Sequence, residues 1–232
     1  IVVENKKLPT FSLRISIDNP PSNEGDRSGL SQLSSALFGE GSKNVSKDVF
    51  NEEVDYLGAT ISMGMGFAYA NGLSKHKERI FELLSDAALN PSFTQEELDK
   101  EKDKLITGLK SEENSPAAIA QRVTGILTYS TDHPYGEFST EESISKVTIK
   151  DIEGNYKQMF NPNNAYMVVS GDVEVKEIKD LVSKYFKNWK SSKKKLNSSI
   201  KSPVDVATTE INFIDMPDAV QSELAVLNIT NL

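Results

Sequence analysis

Apolar residues recur at helical spacing along much of the chain, and most of these stretches are bounded by a capping residue or a helix breaker. Leu30, Leu33 and Leu37 form one such stripe, and Gly39 and Gly41 follow it. Similar patterns predict further helices that begin near residues 46, 75, 94, 116, 140, 148 and 175. The chain is therefore predicted to be rich in helices.

Runs of β-forming residues predict strands between these helices. Residues 1–3 and 11–17 predict a hairpin or two neighbouring strands. Residues 59–65 and 67–73 alternate around two glycines and predict a second pair of strands. The continuous apolar run at residues 165–170 predicts a short buried strand.

Strands and helices are segregated along the chain, and this order predicts the fold class. Segregation favours an α+β fold, in which a mainly antiparallel sheet is covered by helices on one face. Residues 1–190 are predicted to form one domain, and the Ser/Lys-rich residues 191–207 a linker. Residues 208–232, with predicted strands at 210–214 and 221–229, are predicted to begin a following domain of the same kind.

Composition narrows the classes of function that the chain could serve. With 232 residues, 38% of them hydrophobic and 26% charged, it is typical of a soluble globular protein. The net charge of -8 disfavours a nucleic-acid partner. The absence of cysteine excludes thiol nucleophiles, cysteine metal sites and disulfides, and it agrees with an oxidising compartment. The sequence contains no apolar run of membrane-spanning length, and because it starts with Ile1 it is predicted to be an internal piece of a longer protein.

The polar face of the first predicted helix has the spacing of a zinc site. Gln32, Ser35 and Ala36 lie at i, i+3 and i+4, so their side chains would stack on one face. The inverted zinc motif H-x-x-E-H uses this spacing, with two histidines on the metal and a glutamate that activates water. An amide, a hydroxyl and a methyl cannot replace these groups, since zinc needs strong N, S or carboxylate donors. Taken alone, the stretch is an ordinary amphipathic helix.

The wider run at residues 29–44 resembles the first helix of the pitrilysin/insulinase family of zinc peptidases, whose pattern is roughly G-L-A-H-F-L-E-H-M-L-F-x-G-T. The residues in register with that pattern are Gly29, Leu30, Leu33, Leu37, Gly41 and Ser42. Further landmarks follow in the order of the family: LP at residue 8, LGA at 57, LNPSF at 89, HPYG at 133, NPNN at 161 and SGD at 170. Together they cover residues 8 to about 189, the extent of one family domain.

The resemblance implies a metallopeptidase (LuxS/peptidase-like) α+β domain that has lost its metal site. In active relatives a third ligand is a glutamate seven residues after another glutamate, and if Glu101 matches the first, the ligand position is Gly108. The positions lost are Gln32, Ser35, Ala36 and Gly108, so the domain is expected to have no catalytic, metal or cofactor-binding residue. Zinc is expected instead in a catalytic partner half, on the same chain or on a separate subunit.

Three other groups of residues are candidate sites by residue type. His76 and His133 are the only histidines, 57 residues apart, and a metal-ligand role is disfavoured for both. The acidic residues between Glu96 and Asp103 alternate with lysines, which is typical of a solvated helix face. The serines near residue 34 have no histidine base nearby in the sequence, and no G-x-S-x-G elbow is present.

The favoured hypothesis is an inactive domain of a zinc protease that supports peptide binding, chamber closure and docking of a catalytic H-x-x-E-H half. Its substrate would be a peptide or unfolded polypeptide, and its compartment the bacterial periplasm or cell envelope. One alternative is a pure assembly module, like the core subunits of respiratory complexes that share this fold. The other is an active metallopeptidase with an unconventional site.

Overall fold

The computed structural model describes residues 1–39, 41–191, 200 and 202–229. These residues divide into two compact units. The sheet unit comprises residues 1–19, 31–98 and 149–196, and the helical unit comprises residues 20–30, 99–148 and 197–232. The predicted boundaries at residues 190 and 207 stay a prediction, and residues 192–199 and 201 of the predicted linker lie outside the described residues.

The elements follow one another largely as predicted. The strands are β1 Val2–Glu4, β2 Thr10–Ile17, β3 Thr60–Gly64, β4 Phe67–Leu73 and β5 Ala165–Gly171. The α-helices are α1 Leu30–Leu37, α2 Lys47–Tyr56, α3 Lys77–Leu89, α4 Gln95–Glu112, α5 Pro116–Tyr129, α6 Glu141–Lys146, α7 Ile149–Met159 and α8 Val175–Tyr185. Short 3-10 turns occupy Gly25–Arg27, Ser74–His76 and Pro162–Asn164.

The five strands form one sheet in the order β1-β5-β2-β4-β3. Only β1 and β5 pair in parallel, so the prediction of a mainly antiparallel sheet is confirmed. The expectation that β1 and β2 are a hairpin or neighbours is wrong, because β5 lies between them. Leu13 of β2 pairs with Val169 of β5 on one side and with Ala70 of β4 on the other, so β2 has no free edge for β1.

One face of the sheet carries the core of the sheet unit. Phe11, Leu13, Ile15 and Ile17 alternate along β2 with less buried residues, and all four are buried. The helices α2, α3 and α8 pack on the sheet and contribute to the same core, where the ring of Phe11 stacks on that of Phe81 at 6.1 Å. Alternation of this kind is typical of an antiparallel sheet with one face towards solvent. The predicted α+β class is therefore confirmed.

Strand β5 departs from the prediction of a buried strand. Val169 is buried, whereas Tyr166 is 62% exposed and Val168 is also exposed. The continuous apolar run misled the prediction because β5 lies in a sheet that buries one face, so every second side chain of the run points away from the core.

The helix ends follow the capping residues in the sequence. Gly39 and Gly41 have φ of +91° and +90°, and these conformations end α1 where the sequence predicted. In the helical unit, the Ser115 hydroxyl caps α5, whose first residue is Pro116. Thr140 and Ser143 form a reciprocal capping box at the start of α6.

The strands predicted at residues 210–214 and 221–229 are not found. Residues 202–229 contain turns and bends but no helix or paired strand, so this prediction is wrong for the described part of the chain. A strand is stable only when its N–H and C=O groups pair with a neighbour. The alternating apolar residues here have no such neighbour, and Ile211, Phe213 and Val226 are between 86% and 92% exposed.

Candidate functional site

The helix α1 presents the predicted motif face in the sheet unit. Leu33, Ser34 and Leu37 are buried on its inner side, which confirms the apolar stripe at residues 33 and 37. Gln32 and Ala36 are exposed and Ser35 is half-buried. The three positions therefore do share one side of α1, as their spacing predicted.

The inner side of α1 is fixed by α7. The Asn155 side-chain amide donates to the Ser34 hydroxyl at 2.9 Å. Phe38, directly after α1, packs against Tyr156 at 5.5 Å and Phe160 at 4.8 Å between ring centroids. The Tyr156 hydroxyl donates to the Ala88 carbonyl at 2.8 Å, and burial raises the pKa of Tyr156 to about 12. These contacts hold α1 in place against α7.

Ser35 is the residue that the sequence register places at the glutamate of the zinc motif. Its hydroxyl accepts a hydrogen bond of 3.4 Å from the backbone N–H of Met65, in the turn between β3 and β4. Met65 is only 4% exposed, so its N–H has little access to water. The Ser35 hydroxyl thus makes a contact between α1 and the turn that joins β3 and β4.

The fourth predicted position, Gly108, lies on α4 in the helical unit. It is exposed, and a Cβ added there would meet no other atom within 4 Å. Glu101, the glutamate used to set this register, is paired with Lys104 at 2.5 Å. Gly108 therefore contributes no donor group, and Glu101 is already engaged in an ion pair.

The donor set of this face does not fit zinc. Zinc sites use thiolate, imidazole or carboxylate ligands, and α1 offers an amide, a hydroxyl and a methyl at the three motif positions. Among the described residues, no group of three or more histidine, cysteine, aspartate or glutamate side chains is placed to hold a metal ion.

The histidines and the acidic helix face, the other candidate sites in the sequence, form no common site. His76 belongs to the sheet unit and is half-buried at the start of α3. His133 belongs to the helical unit, where it is 7% exposed and stacks on Tyr129 at 4.8 Å. Asp103 is exposed on α4, as expected for a solvated face. None of these residues joins the motif face in a described cluster.

A concave site in the helical unit was not predicted from the sequence. A cavity of about 640 Å³ is lined by residues from 21–23, 126–134 and 200–204. The HPYG landmark supplies His133 and Pro134 to this cavity and was the one signal for it. Its other walls come from stretches of sequence that share no motif, so spacing could not have joined them.

The structure describes an α+β fold, and the positions on α1 that the sequence register assigns to zinc ligands carry no metal donors. A family model described as the peptidase M16 inactive domain matches residues 146–230. The chain is 24% identical over 172 residues to "Uncharacterized zinc protease YmxG" of Bacillus subtilis, and the match covers 72% of this chain and 42% of that protein. It is 21% identical over 181 residues to "Non-peptidase homolog YmxG" of Helicobacter pylori, covering 75% and 42%.

Solved structures agree on the fold. The crystal structure of a peptidase M16 inactive domain from Pseudomonas fluorescens superposes with a TM-score of 0.74 at 20% identity, covering 88% of this chain and 51% of that one. The predicted resemblance is thus confirmed: the chain is similar to the pitrilysin/insulinase, or M16, peptidases and to the domain of that family described as inactive. The chain spans about two fifths of the length of the curated relatives that it matches. In the described residues no helix combines the length and apolarity needed to cross a membrane.

Proposed function

We propose that this chain is the supporting, non-catalytic part of a zinc peptidase and acts together with a half that carries an intact H-x-x-E-H helix. The proposal rests on the combination of packing and residue types in α1. Its packing is preserved through Ser34 and Phe38, while its motif positions present Gln32, Ser35 and Ala36. A helix that is firmly packed while its expected motif positions carry no metal donor supports a role that needs the fold and not the ion.

A supporting half has a physical task in such an enzyme. Closing a chamber around a peptide excludes water and holds the scissile bond in a productive orientation, which lowers the barrier for reaction at the partner's metal. Zinc would be bound by the catalytic half, on the same polypeptide or on a separate subunit. The substrate would be a peptide or an unfolded polypeptide, since a chamber of this kind admits extended chains.

An edge of the sheet offers one mode of holding such a substrate. β3 pairs only with β4 and forms one edge of the sheet, and β1 forms the other. An extended peptide can add to a free edge through main-chain hydrogen bonds, which tolerate many sequences. We assign the chain to the bacterial periplasm or cell envelope, a placement supported by the absence of cysteine from its sequence.

Metal analysis and a peptidase assay test the proposal. The purified chain is dialysed, its zinc content is measured, and cleavage of an unfolded polypeptide is followed with and without added zinc. A tagged copy is then recovered from its own cells together with its partners. We expect the chain alone to bind no zinc and cut nothing, and chelator-sensitive cleavage to appear only with a recovered partner that contains zinc. About one tightly bound zinc per chain, with cleavage by the chain alone, would support the unconventional metallopeptidase instead.

A variant of α1 provides the matched control for the metal analysis. The triple change Gln32→His, Ser35→Glu and Ala36→His restores two imidazoles at i and i+4. We expect this variant to gain zinc binding that a chelator reverses, because the exposed positions 32 and 36 lie on one side of the helix. Equal zinc content in the variant and the parent chain would mean that the face of α1 is not what limits metal binding.

A pure assembly role is the second candidate, and the relative named as a non-peptidase homolog favours it. In that case the chain would co-purify with partners that carry no zinc, and removing it would dissociate a complex without changing proteolysis. Measuring both the mass of the complex and the peptidase rate after depletion of the chain distinguishes the two roles.

A further inference from the structure

The face of the sheet that points away from the core carries very little charge. Phe11, Leu13 and Ile15 of β2 are buried, so the residues between them point outwards, and the strand register places outward residues of β4 and β5 beside them. Arg14 is the only charged residue among the outward residues of these three strands, although 26% of the residues in the chain are charged. A sheet face that meets only water normally carries polar and charged side chains. The shortage of charge distinguishes this face from such a surface.

Aromatic and aliphatic side chains surround Arg14 on this face. Tyr69 of β4 and Val168 of β5 pair with Arg14 on either side, and Phe67 and Tyr166 lie in the adjacent row. Tyr166 is 62% exposed and Val168 is 36% exposed, whereas Phe67 and Tyr69 are half-buried. All five residues belong to the sheet unit, and together they are called the open patch.

The side chain of Arg14 is oriented on the open patch and keeps donors available. Its guanidinium carbon lies 5.6 Å from the centroid of the Phe67 ring, and its Nε donates to the Ser16 hydroxyl at 3.2 Å. Within the described part of the chain, its Nη groups have no acceptor and make no ion pair. A guanidinium held in this way presents a fixed pair of N–H groups, which is the arrangement that binds a carboxylate.

The residue types of the open patch are those of a protein interface. The centres of protein interfaces are enriched in aromatic residues and arginine, and they are depleted of lysine, aspartate and glutamate. Tyrosine and arginine are also among the residues that contribute most to binding. On one side of the patch, Ser12, Ser170 and Asn71 form a polar border, and the first two share a hydrogen bond of 3.0 Å. An apolar centre with a polar rim is how two proteins exclude water from a contact.

The charge and the backbone of the open patch select what can cover it. A second copy of the chain, related by a two-fold axis through the patch, would place one Arg14 beside the other, and the two charges would repel. An extended peptide would leave its own N–H and C=O groups unpaired there, because β2, β4 and β5 are each paired on both sides. An α-helix satisfies its own backbone, and its diameter of ~10 Å matches the ~10 Å across three strands.

We propose that the open patch docks an amphipathic α-helix of a partner protein, with an aspartate or glutamate in its apolar stripe. The carboxylate would bind the Nη groups of Arg14, and the apolar side chains would pack on Tyr69, Tyr166 and Val168. The inference does not rest on a peptidase role, because it follows from the side chains of the sheet alone. It assigns a contact surface and the chemistry of the partner that fits it.

Site-specific photo-crosslinking identifies what covers the open patch. The protein is produced in its own cells with p-benzoylphenylalanine in place of Tyr166, or in place of Tyr56, which is 86% exposed on α2 and serves as the matched control. After irradiation, mass spectrometry identifies the crosslinked peptides. We expect position 166 to crosslink to one helical segment of one partner, with a carboxylate among apolar residues, and position 56 not to reach that segment.

Charge exchange shows whether Arg14 binds the partner's carboxylate. We expect Arg14→Glu to lower the crosslink yield at position 166 about tenfold, because two carboxylates would then face each other, and Arg14→Gln to lower it less. Changing the partner's aspartate or glutamate to arginine should restore the yield in Arg14→Glu. Lys179→Glu, at an exposed position on α8, should leave the yield unchanged. Circular dichroism should show the same melting temperature for all these variants, because the changed side chains are exposed.

Each other outcome refutes the inference. If position 166 crosslinks to nothing, or to the same range of proteins as position 56, the patch faces solvent. A crosslinked dimer of the chain would assign the patch to a second copy, and a crosslink within the same polypeptide would assign it to the chain itself. An unchanged yield in both Arg14→Glu and Arg14→Gln, or no recovery with the partner's reversed charge, would show that the carboxylate contact is absent.

Discussion

At the scale of single residues, Ser130 carries the clearest backbone strain in the described chain. Its φ of 66° with ψ of 162° costs an L-residue about 1–3 kcal/mol, whereas glycine adopts it freely. We expect Ser130→Gly to raise the free energy of unfolding by about 1 kcal/mol, after the greater entropy of glycine in the unfolded chain is subtracted. Urea unfolding followed by circular dichroism measures this change.

Ser130→Ala is the control for that experiment, because alanine loses the hydroxyl but keeps the Cβ that causes the strain. It should give no gain in stability. A gain of the same size in both variants would show that the hydroxyl, and not the backbone conformation, is the source of the cost.

The ion pair between Arg79 and Glu53 makes stability depend on pH. The Arg79 guanidinium donates two hydrogen bonds to the Glu53 carboxylate, at 2.5 and 2.6 Å, and this contact lowers the pKa of Glu53 below its usual value. A group whose pKa is lowered by folding stabilises the protein above its unfolded pKa, and this contribution disappears as the pH falls through the folded value. We expect Glu53→Gln to reduce the free energy of unfolding by about 1 kcal/mol at neutral pH.

The destabilisation should diminish as the pH falls from about 7 towards about 3, because protonation of the native carboxyl removes the ion pair. Urea unfolding at both pH values measures it. Glu52→Gln changes the neighbouring, exposed carboxylate and should have little effect at either pH. A Glu53→Gln effect that is the same at both pH values would contradict the ion-pair explanation.

At the scale of elements, one carboxylate holds the loop that precedes α1. Glu24 is in the αR region and Gly25 in the αL region, so their N–H groups converge in a small anion-binding nest. Glu137 fills this nest, with its carboxylate accepting from the N–H of Glu24 at 2.9 Å and of Gly25 at 2.5 Å. All three residues belong to the helical unit. The loop is thus fixed by a contact between positions 112 and 113 residues apart.

We expect Glu137→Ala to speed hydrogen exchange at the Glu24 and Gly25 amides by about tenfold, because these N–H groups lose their acceptor. Exchange followed by mass spectrometry or NMR measures the effect. Glu141→Ala removes an exposed carboxylate that pairs with Lys110 and should leave the two amides unchanged. Unchanged exchange in Glu137→Ala would mean that other contacts hold the loop.

The helices could be predicted from the sequence because the signals that start and end them are local. Ser115 with Pro116, Thr140 with Ser143, and the glycine that follows α1 all act within one turn of the helix they bound. Strand pairing was less predictable, since β1 pairs with β5, whose residues lie more than 160 positions away. No local pattern records that β5 separates β1 from β2, or that alternating residues after 208 lack a neighbour.

In the candidate site, too, some features could be predicted from local sequence and others could not. The expected loss of metal donors at Gln32, Ser35 and Ala36 stays a prediction, and it rests on the spacing of the motif and on donor chemistry, both of which are visible in the sequence. The hydrogen bond from Met65 to Ser35 and the cavity beside His133 depend on segments far apart in the chain. Such contacts are set by the tertiary fold, and no local sequence pattern records them.

At the scale of the whole molecule, the helices and strands lie within residues 2–185, whereas the described residues 202–229 contain no helix or paired strand. Residues 1–191 are called the body of the chain below. Phe213 and Tyr56 are both 86% exposed, yet Tyr56 lies in α2 and Phe213 lies in backbone without helix or paired strand. A protease needs an extended segment, so cleavage at Tyr56 requires local unfolding of α2, whereas cleavage at Phe213 does not. Brief chymotrypsin digestion, followed by mass spectrometry, should therefore cut after Phe213 before it cuts after Tyr56.

Phe213→Ser should remove that early product and leave cleavage elsewhere unchanged. The fragment that ends at residue 213 should unfold at nearly the same temperature as the parent, because Ile211, Phe213, Val220, Leu224 and Val226 are exposed and bury little apolar surface in the folded state. First cleavage at Tyr56 would show that α2 opens more readily than the backbone around Phe213. A large fall in the melting temperature of the fragment would show that the residues after 213 stabilise the rest of the chain. Retained stability would instead agree with the predicted start of a separate domain after residue 207, whose exposed apolar side chains are free to pack against another part of a longer protein or against a partner.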